Sequence, residues 1–167
     1  SSQYITTPST DLKTANNFTI STWFKASDTS FAHHLLWEGI AASGNGWGES
    51  TYVQEMHISL GNYLDPTGYS NYLSFFLGDV DAGLNAGGLQ IATPFSDTSS
   101  WHNAVAVVSN LSTSPSAILY LDGAPVGTDT GTTARTGRGT WDTSFQMGKP
   151  GTSTRYYAGN LDEVRIA

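Results

Sequence analysis

The sequence predicts an all-β fold, a two-sheet antiparallel β-sandwich of the jelly-roll kind. Three observations carry this expectation. Almost every periodic segment alternates with period two, as half-buried strands do. No segment keeps helical spacing over ten or more residues. Gly, Pro, Asn and Asp interrupt the apolar runs at short intervals, as in a chain of many short strands joined by turns.

The elements follow in order. Residues 17–26, NFTISTWFKA, alternate Phe18, Ile20, Thr22 and Phe24 against Thr19, Ser21, Trp23 and Lys25. Residues 33–39, HHLLWEG, form a short apolar run. A long connection should follow Trp37 and end near Glu55. In residues 55–61, Met56, Ile58 and Leu60 oppose Glu55, His57 and Ser59. Further strands are expected at 71–78, 88–93, 101–110 and 116–123, and Asp122-Gly123 should make a tight hairpin turn with Val126 on the return strand. Residues 128–143, TDTGTTARTGRGTWDT, read as a long surface loop, and 144–149 and 157–167 close the chain. Trp23, Trp37 and Trp101 are expected to pack in the core or between the sheets.

Composition bounds what such a domain does. The chain has 167 residues, 38% hydrophobic and 12% aromatic, which suits one domain over 1–167 with a sizeable core. Only 13% of it is charged, and there is no cysteine, so no disulfide framework holds it. The net charge of -7 repels phosphate backbones, so nucleic acid is not an expected partner. No apolar run is long enough to insert into a membrane as a helix. The opening SSQYITTPST reads as the start of a domain cut from a larger chain.

Three segments in combination carry a family resemblance: NFTISTWFKA, then SWHNAVAVVSN with AILYLDGAPVG, then the closing GNLDEVRIA. Their order and spacing resemble the laminin-G-like, concanavalin A-like jelly rolls, in particular bacterial domains attached to secreted enzymes and adhesins. The resemblance covers nearly the whole chain. It implies a secreted or cell-surface domain beside catalytic or adhesin domains, and leaves function open, because the fold hosts lectins, glycosidases and adhesion modules.

Catalysis is not expected. A glycosidase needs two carboxylates across a cleft, about 5–5.5 Å apart for retention or 6.5–9.5 Å for inversion. Glucanases of this fold carry Glu, Asp and Glu alternating on one strand face, and no such run occurs here. Glu49 and Glu55 would fall on opposite faces of a regular strand. No nucleophile elbow or zinc-protease motif is present, and His33, His34, His57 and His102 lack zinc-ligand spacing.

Two sugar-binding sets are expected instead. The first is Trp47, held between glycines, with Tyr52 and His57; the second is Arg135, Arg138, Trp141, Arg155 and Tyr156. Aromatic rings would pack on the C–H face of a pyranose and polar side chains would bind its hydroxyls. Four of the seven basic residues, Arg135, Arg138, Lys149 and Arg155, fall in the second region, which suits an anionic glycan. In the closing strand Asp162 shares a face with Val164 and Ile166, so an inward Val164 would bury Asp162, at a cost unless it is paired or binds a cation. Many jelly rolls of the family it resembles carry a structural Ca²⁺, often held by an acidic residue of the last strand, which makes Asp162 a candidate ligand; Glu38 and Glu55, flanking the long connection after Trp37, are others. A non-catalytic carbohydrate-binding module for a polysaccharide or oligosaccharide is the leading expectation. An adhesion or protein-binding module is the alternative, and a small glycosidase or lyase comes last.

Overall fold

The structure, a computed structural model, describes residues 3–8, 12, 14–30, 33–40, 54–61, 70–78, 88–131, 144–149 and 156–167. These residues form eleven strands: β1 (Ile5–Pro8), β2 (Phe18–Ala26), β3 (His33–Ile40), β4 (Gln54–Leu60), β5 (Tyr72–Leu77), β6 (Leu89–Pro94), β7 (His102–Ser109), β8 (Ser116–Leu121), β9 (Ala124–Thr130), β10 (Ser144–Met147) and β11 (Gly159–Ile166). They build a six-stranded sheet, β1-β10-β3-β4-β5-β6, and a five-stranded sheet, β11-β2-β7-β8-β9. The predicted sandwich is the observed fold.

Two elements differ from expectation. Residues 5–8 pair as β1 with β10. Residues 128–130 continue β9 opposite Ser116 to Ile118, where a loop was expected to begin. The predicted hairpin turn is present: Leu121 pairs with Ala124, and Asp122 and Gly123 have φ of 52° and 79°, as a type I′ turn requires.

Alternation explains the core. In β2, Phe18, Ile20, Thr22, Phe24 and Ala26 are buried and the residues between them are not. Register then stacks matching rows across each sheet. One inner row of the six-stranded sheet runs Met147, Leu36, Ile58, Phe75, Ile91. One inner row of the five-stranded sheet runs Ile20, Ala106, Leu119, Gly127. Apart from half-buried Met147 and Gly127, their side chains meet in one buried cluster, the main apolar stabilisation of the fold.

The two sides of the sandwich are finished differently. At the β6–β9 side the sheets are joined: Gln90 N–H donates to Asp129 Oδ2 at 2.7 Å, and Ile91 fits against Gly127 so closely that a Cβ there would collide with its side chain. At the other side, β1 and β11 leave a groove between them.

A polar staple fixes the end of the five-stranded sheet. His102 Nδ1 lies 2.7 Å from Asp122 Oδ2 and its Nε2 lies 3.2 Å from Asp97 Oδ2. Asp122 Oδ1 also accepts from Asn103 N–H, and Asp97 Oδ1 accepts from Ser99 and Ser100. Partial burial works against the imidazolium, but the hydrogen bonds and charges of Asp122 and Asp97 outweigh it and hold the His102 pKa above its ordinary 6.5. A histidine whose folded pKa is raised contributes stability that is complete below the unfolded value and lost as pH rises through the folded one. The melting temperature should therefore fall as pH rises above about 6.5, and His102→Gln should flatten that limb. Thermal unfolding across the pH range checks this; parallel curves for the two proteins would show that the staple does not titrate there.

Candidate functional site

The groove at the open side has a volume of about 940 Å³. Gln3, Tyr4 and Ile5 line it from β1 and the residues before it, Met147 from β10 with Gly148 just after it, and Asn160 to Val164 from β11. Tyr157 and Gly159 complete it. Gly159 has a φ of 155°, and a Cβ on it would run into the Lys25 carbonyl and the Tyr157 hydroxyl, so a larger residue would push apart the wall.

Three side chains gather at the rim. The rings of Tyr4 and Tyr156 are 6.0 Å apart between centroids. Lys149 Nζ lies 4.5 Å from the centre of the Tyr4 ring and 5.9 Å from that of Tyr156, within cation–π range. Tyr4 is 48% exposed, so its ring is offered to solvent. The backbone fixes this cluster. His33 Nδ1–H donates to the Tyr156 carbonyl at 2.6 Å, Tyr157 N–H donates to Gly148 C=O at 2.9 Å, and Gly148 N–H donates to Leu35 C=O at 2.8 Å. The segment before β11 is thus tied to β3 and β10. An aromatic pair with a cation, next to Asn160 and Asp162, can pack on a sugar ring and bind its hydroxyl or carboxylate groups.

Of the predicted sugar-binding residues, the structure brings Tyr156 against Tyr4, which lines the groove, with Lys149 beside both rings. Tyr4 was not foreseen, because it stands as a lone aromatic residue before the four residues ITTP, which show no alternation. Trp47, Tyr52, Arg135, Arg138, Trp141 and Arg155 lie outside the described residues. His57 is corrected. It is fully buried on the outer row Gln146, Trp37, His57, Phe76, Gln90, so it is not on a surface that a glycan meets. Its ring sits 4.6 Å from that of His34, edge-on, and is stacked on Phe76 at 5.2 Å. Two buried polar atoms of that face, Ser59 Oγ and Gln146 Oε1, have no hydrogen-bond partner among the described residues.

The inward reading of Asp162 is also corrected. The register between β11 and β2 shifts between Asp162 and Arg165, and Glu163 takes a φ of 48°. This bulge breaks the two-residue period. Leu161 and Val164 pack on the core and Asp162 is exposed, its Oδ1 accepting from Glu163 N–H at 2.8 Å. Among the described residues the buried carboxylate is Glu38, on the inner row between Phe145 and Met56. Glu55 pairs with Gly39 in β4. Glu38 faces the core from one sheet and Asp162 is at the surface of the other, so these two residues do not share one ion. Among the described residues no cluster of three or more His, Asp or Glu could hold a metal. Trp37 is buried as expected, whereas Trp23 and Trp101 are 40% and 44% exposed, contrary to the packed positions read from the sequence.

Fold and groove define a lectin-like β-sandwich. Residues 1–167 match the family model described as the concanavalin A-like lectin/glucanases superfamily, and the chain belongs to that family. A comparison with curated proteins finds no sequence relative. Among solved structures, the CBM40 module of the Ruminococcus gnavus intramolecular trans-sialidase is similar at 13% identity and a TM-score of 0.66, over 93% of this chain and 78% of that one. Domains LG4-5 of the mouse laminin α1 chain are similar at 14% identity and a TM-score of 0.62, over 99% of this chain and 39% of that one. The leech intramolecular trans-sialidase, complexed with 2,7-anhydro-Neu5Ac, is similar at 12% identity and a TM-score of 0.64, over 93% of this chain and 22% of that one. At such identities these likenesses concern the fold.

Tyr157 offers a direct check of the groove. Its hydroxyl is buried against Gly159 with no hydrogen-bond partner among the described residues, and burial pushes its pKa up. An unsatisfied buried hydroxyl costs stability. Tyr157→Phe should leave the urea midpoint unchanged or raise stability by about 1 kcal/mol. A clear loss would mean that the hydroxyl is satisfied in solution.

Proposed function

We propose that this chain is a non-catalytic carbohydrate-binding module that takes an anionic glycan at the groove between β1 and β11. The observation that supports it is the Tyr4–Lys149–Tyr156 cluster at the rim of that groove. The rings supply a face for the C–H side of a pyranose, and the ammonium supplies a partner for a carboxylate or sulfate. Two similar structures support the same reading: one is a sialidase CBM40 bound to α2,3-sialyllactose and the other the leech enzyme with an anhydro-sialic acid. In this proposal the module belongs to a secreted or cell-surface polysaccharide-degrading protein and raises the local concentration of an attached catalytic domain on its substrate. The likeness to laminin LG4-5 favours the second reading, an adhesion module.

A glycan array and pull-down on insoluble polysaccharides test the first reading. Tyr4→Ala and Lys149→Ala should each weaken binding by about tenfold or more, equivalent to about 1.4 kcal/mol, with unchanged melting temperature. No glycan bound at millimolar concentration, or equal binding by the variants, would refute it.

Calcium remains in the proposal in reduced form, with exposed Asp162 as a candidate ligand and Glu38 removed by its core position. A bound ion stabilises the folded state by mass action. The melting temperature should then be higher with added Ca²⁺ than with EDTA, and Asp162→Asn should narrow the gap. Equal values with Ca²⁺ and EDTA would end the calcium proposal.

A further inference from the structure

The described large apolar side chains that are most exposed are Tyr4, Ile5, Trp23, Trp101 and Ile166. None of them is at the joined β6–β9 side. Tyr4 and Ile5 line the groove, Ile166 is on β11, Trp23 is on β2, and Trp101 immediately precedes β7. Apolar surface concentrated in one region marks a contact site more than scattered residues do.

Register places the two tryptophans together. Trp23 pairs with Asn103 and Phe24 with His102. His102 is inward, its ring 5.8 Å from Phe24 and 5.0 Å from Phe95. Trp101, one residue earlier, therefore falls on the outer side with Asn103 and Trp23. A diagonal pair of this kind is separated by about 7–8 Å. Lys25 is the β2 residue on that outer side next to Trp101, and β11 sets Asn160 opposite Lys25 and Asp162 opposite Trp23. Asn160 and Asp162 also line the groove. The groove and the tryptophan face thus share the strand β11.

We propose that the outer face of the five-stranded sheet beside β11 is a second contact surface for the same glycan chain, with Trp23 and Trp101 as stacking platforms and Lys25 as its cation. This proposal rests on the sugar-binding reading of the groove. A glycan held at Tyr4 and Tyr156 would cross β11 and lie over β2 and β7, about 10 Å further on at ordinary strand spacing. That span suits an extended chain and exceeds one sugar ring.

The composition of the face favours a sugar over a protein. Interface cores are depleted of charged residues, whereas here Lys25, Asn103, Asn160 and Asp162 interleave with the two indoles. No ion pair engages Lys25 among the described residues, so its charge is available to an acidic sugar. The platform is also rigid. The inward neighbours Thr22, Phe24 and Ala104 are fully buried, so β2 and β7 hold the indoles in place before any ligand arrives.

Size-graded oligogalacturonides test the proposal, with xylo-oligosaccharides as the neutral series and titration calorimetry as the readout. Wild-type affinity should rise by about tenfold or more from monomer to hexamer, more steeply in the acidic series. Trp23→Ala and Trp101→Ala should bind the monomer as wild type does and lose the rise, with unchanged melting temperature. Tyr4→Ala should weaken binding at every length. A wild type without length dependence, or tryptophan variants that keep it, would overturn this surface and leave the groove reading intact. Failure of both series to bind overturns this surface, and the groove reading falls with it only if the glycan array is empty as well. Self-association in sedimentation that Trp23→Ala abolishes would instead make the face a protein contact and overturn its assignment to a glycan.

Discussion

The bulge in β11 decides the character of the open side of the molecule. A strand that pairs without interruption sends alternate side chains to opposite faces, so Asp162, Val164 and Ile166 would all turn the same way. By placing Glu163 at a positive φ, the chain inserts an extra step between Asp162 and Arg165. Leu161 and Val164 then both reach the core, and the charged residues between and beyond them reach water. The local conformational cost is offset by burial of two apolar side chains in place of one carboxylate. Arg165 Nη2 donates to Glu163 Oε2 at 2.9 Å, a surface pair that decorates the bulge and adds little to its stability.

The same bulge accounts for the asymmetry of the sandwich. A continuous edge strand presents unpaired N–H and C=O groups, and proteins interrupt such edges. On the β6–β9 side the edges are covered by one another, with Asp129 capping Gln90 N–H. On the β1–β11 side one edge is only four residues long and the other is bulged. Neither is a good template for another strand, and the space between them is left as a groove. The device that protects the edge also leaves room for a ligand.

Most of the strands were legible in the sequence because their alternation is local. Phe18, Ile20, Thr22 and Phe24 in β2 need no knowledge of their partners to be read as one face. The strand β1 was not legible, because Ile5 to Pro8 offers only four residues and becomes a strand through its pairing with β10. His57 looked like the polar side of β4, but burial of both faces of the six-stranded sheet is a property of the whole fold. The positions of Trp23 and Trp101 have the opposite lesson. Their alternation placed Trp23 opposite to Phe24, and the assumption that tryptophan belongs inside overrode the pattern. The period was the better guide.

Exposure of rigid aromatics has a thermodynamic consequence for binding. An indole on a mobile loop must lose conformational freedom when it meets a ligand, and that loss subtracts from affinity. Trp23 has no such loss to make in its backbone, since β2 lies between β11 and β7 and is paired along nearly its full length on both sides. Leaving such a residue in water forgoes its burial, worth roughly 25 cal/mol per Å² of apolar surface, and that gain remains available to whatever covers it. Tyr4 differs in kind. It stands outside β1, held through Lys149 and Tyr156 and not through a sheet ladder. The molecule therefore offers a surface carried by the sheet and a rim built from side-chain contacts, joined by β11. A ligand long enough to touch both gains from the second contact without a second loss of overall translation, so chain length is the property that such an arrangement selects.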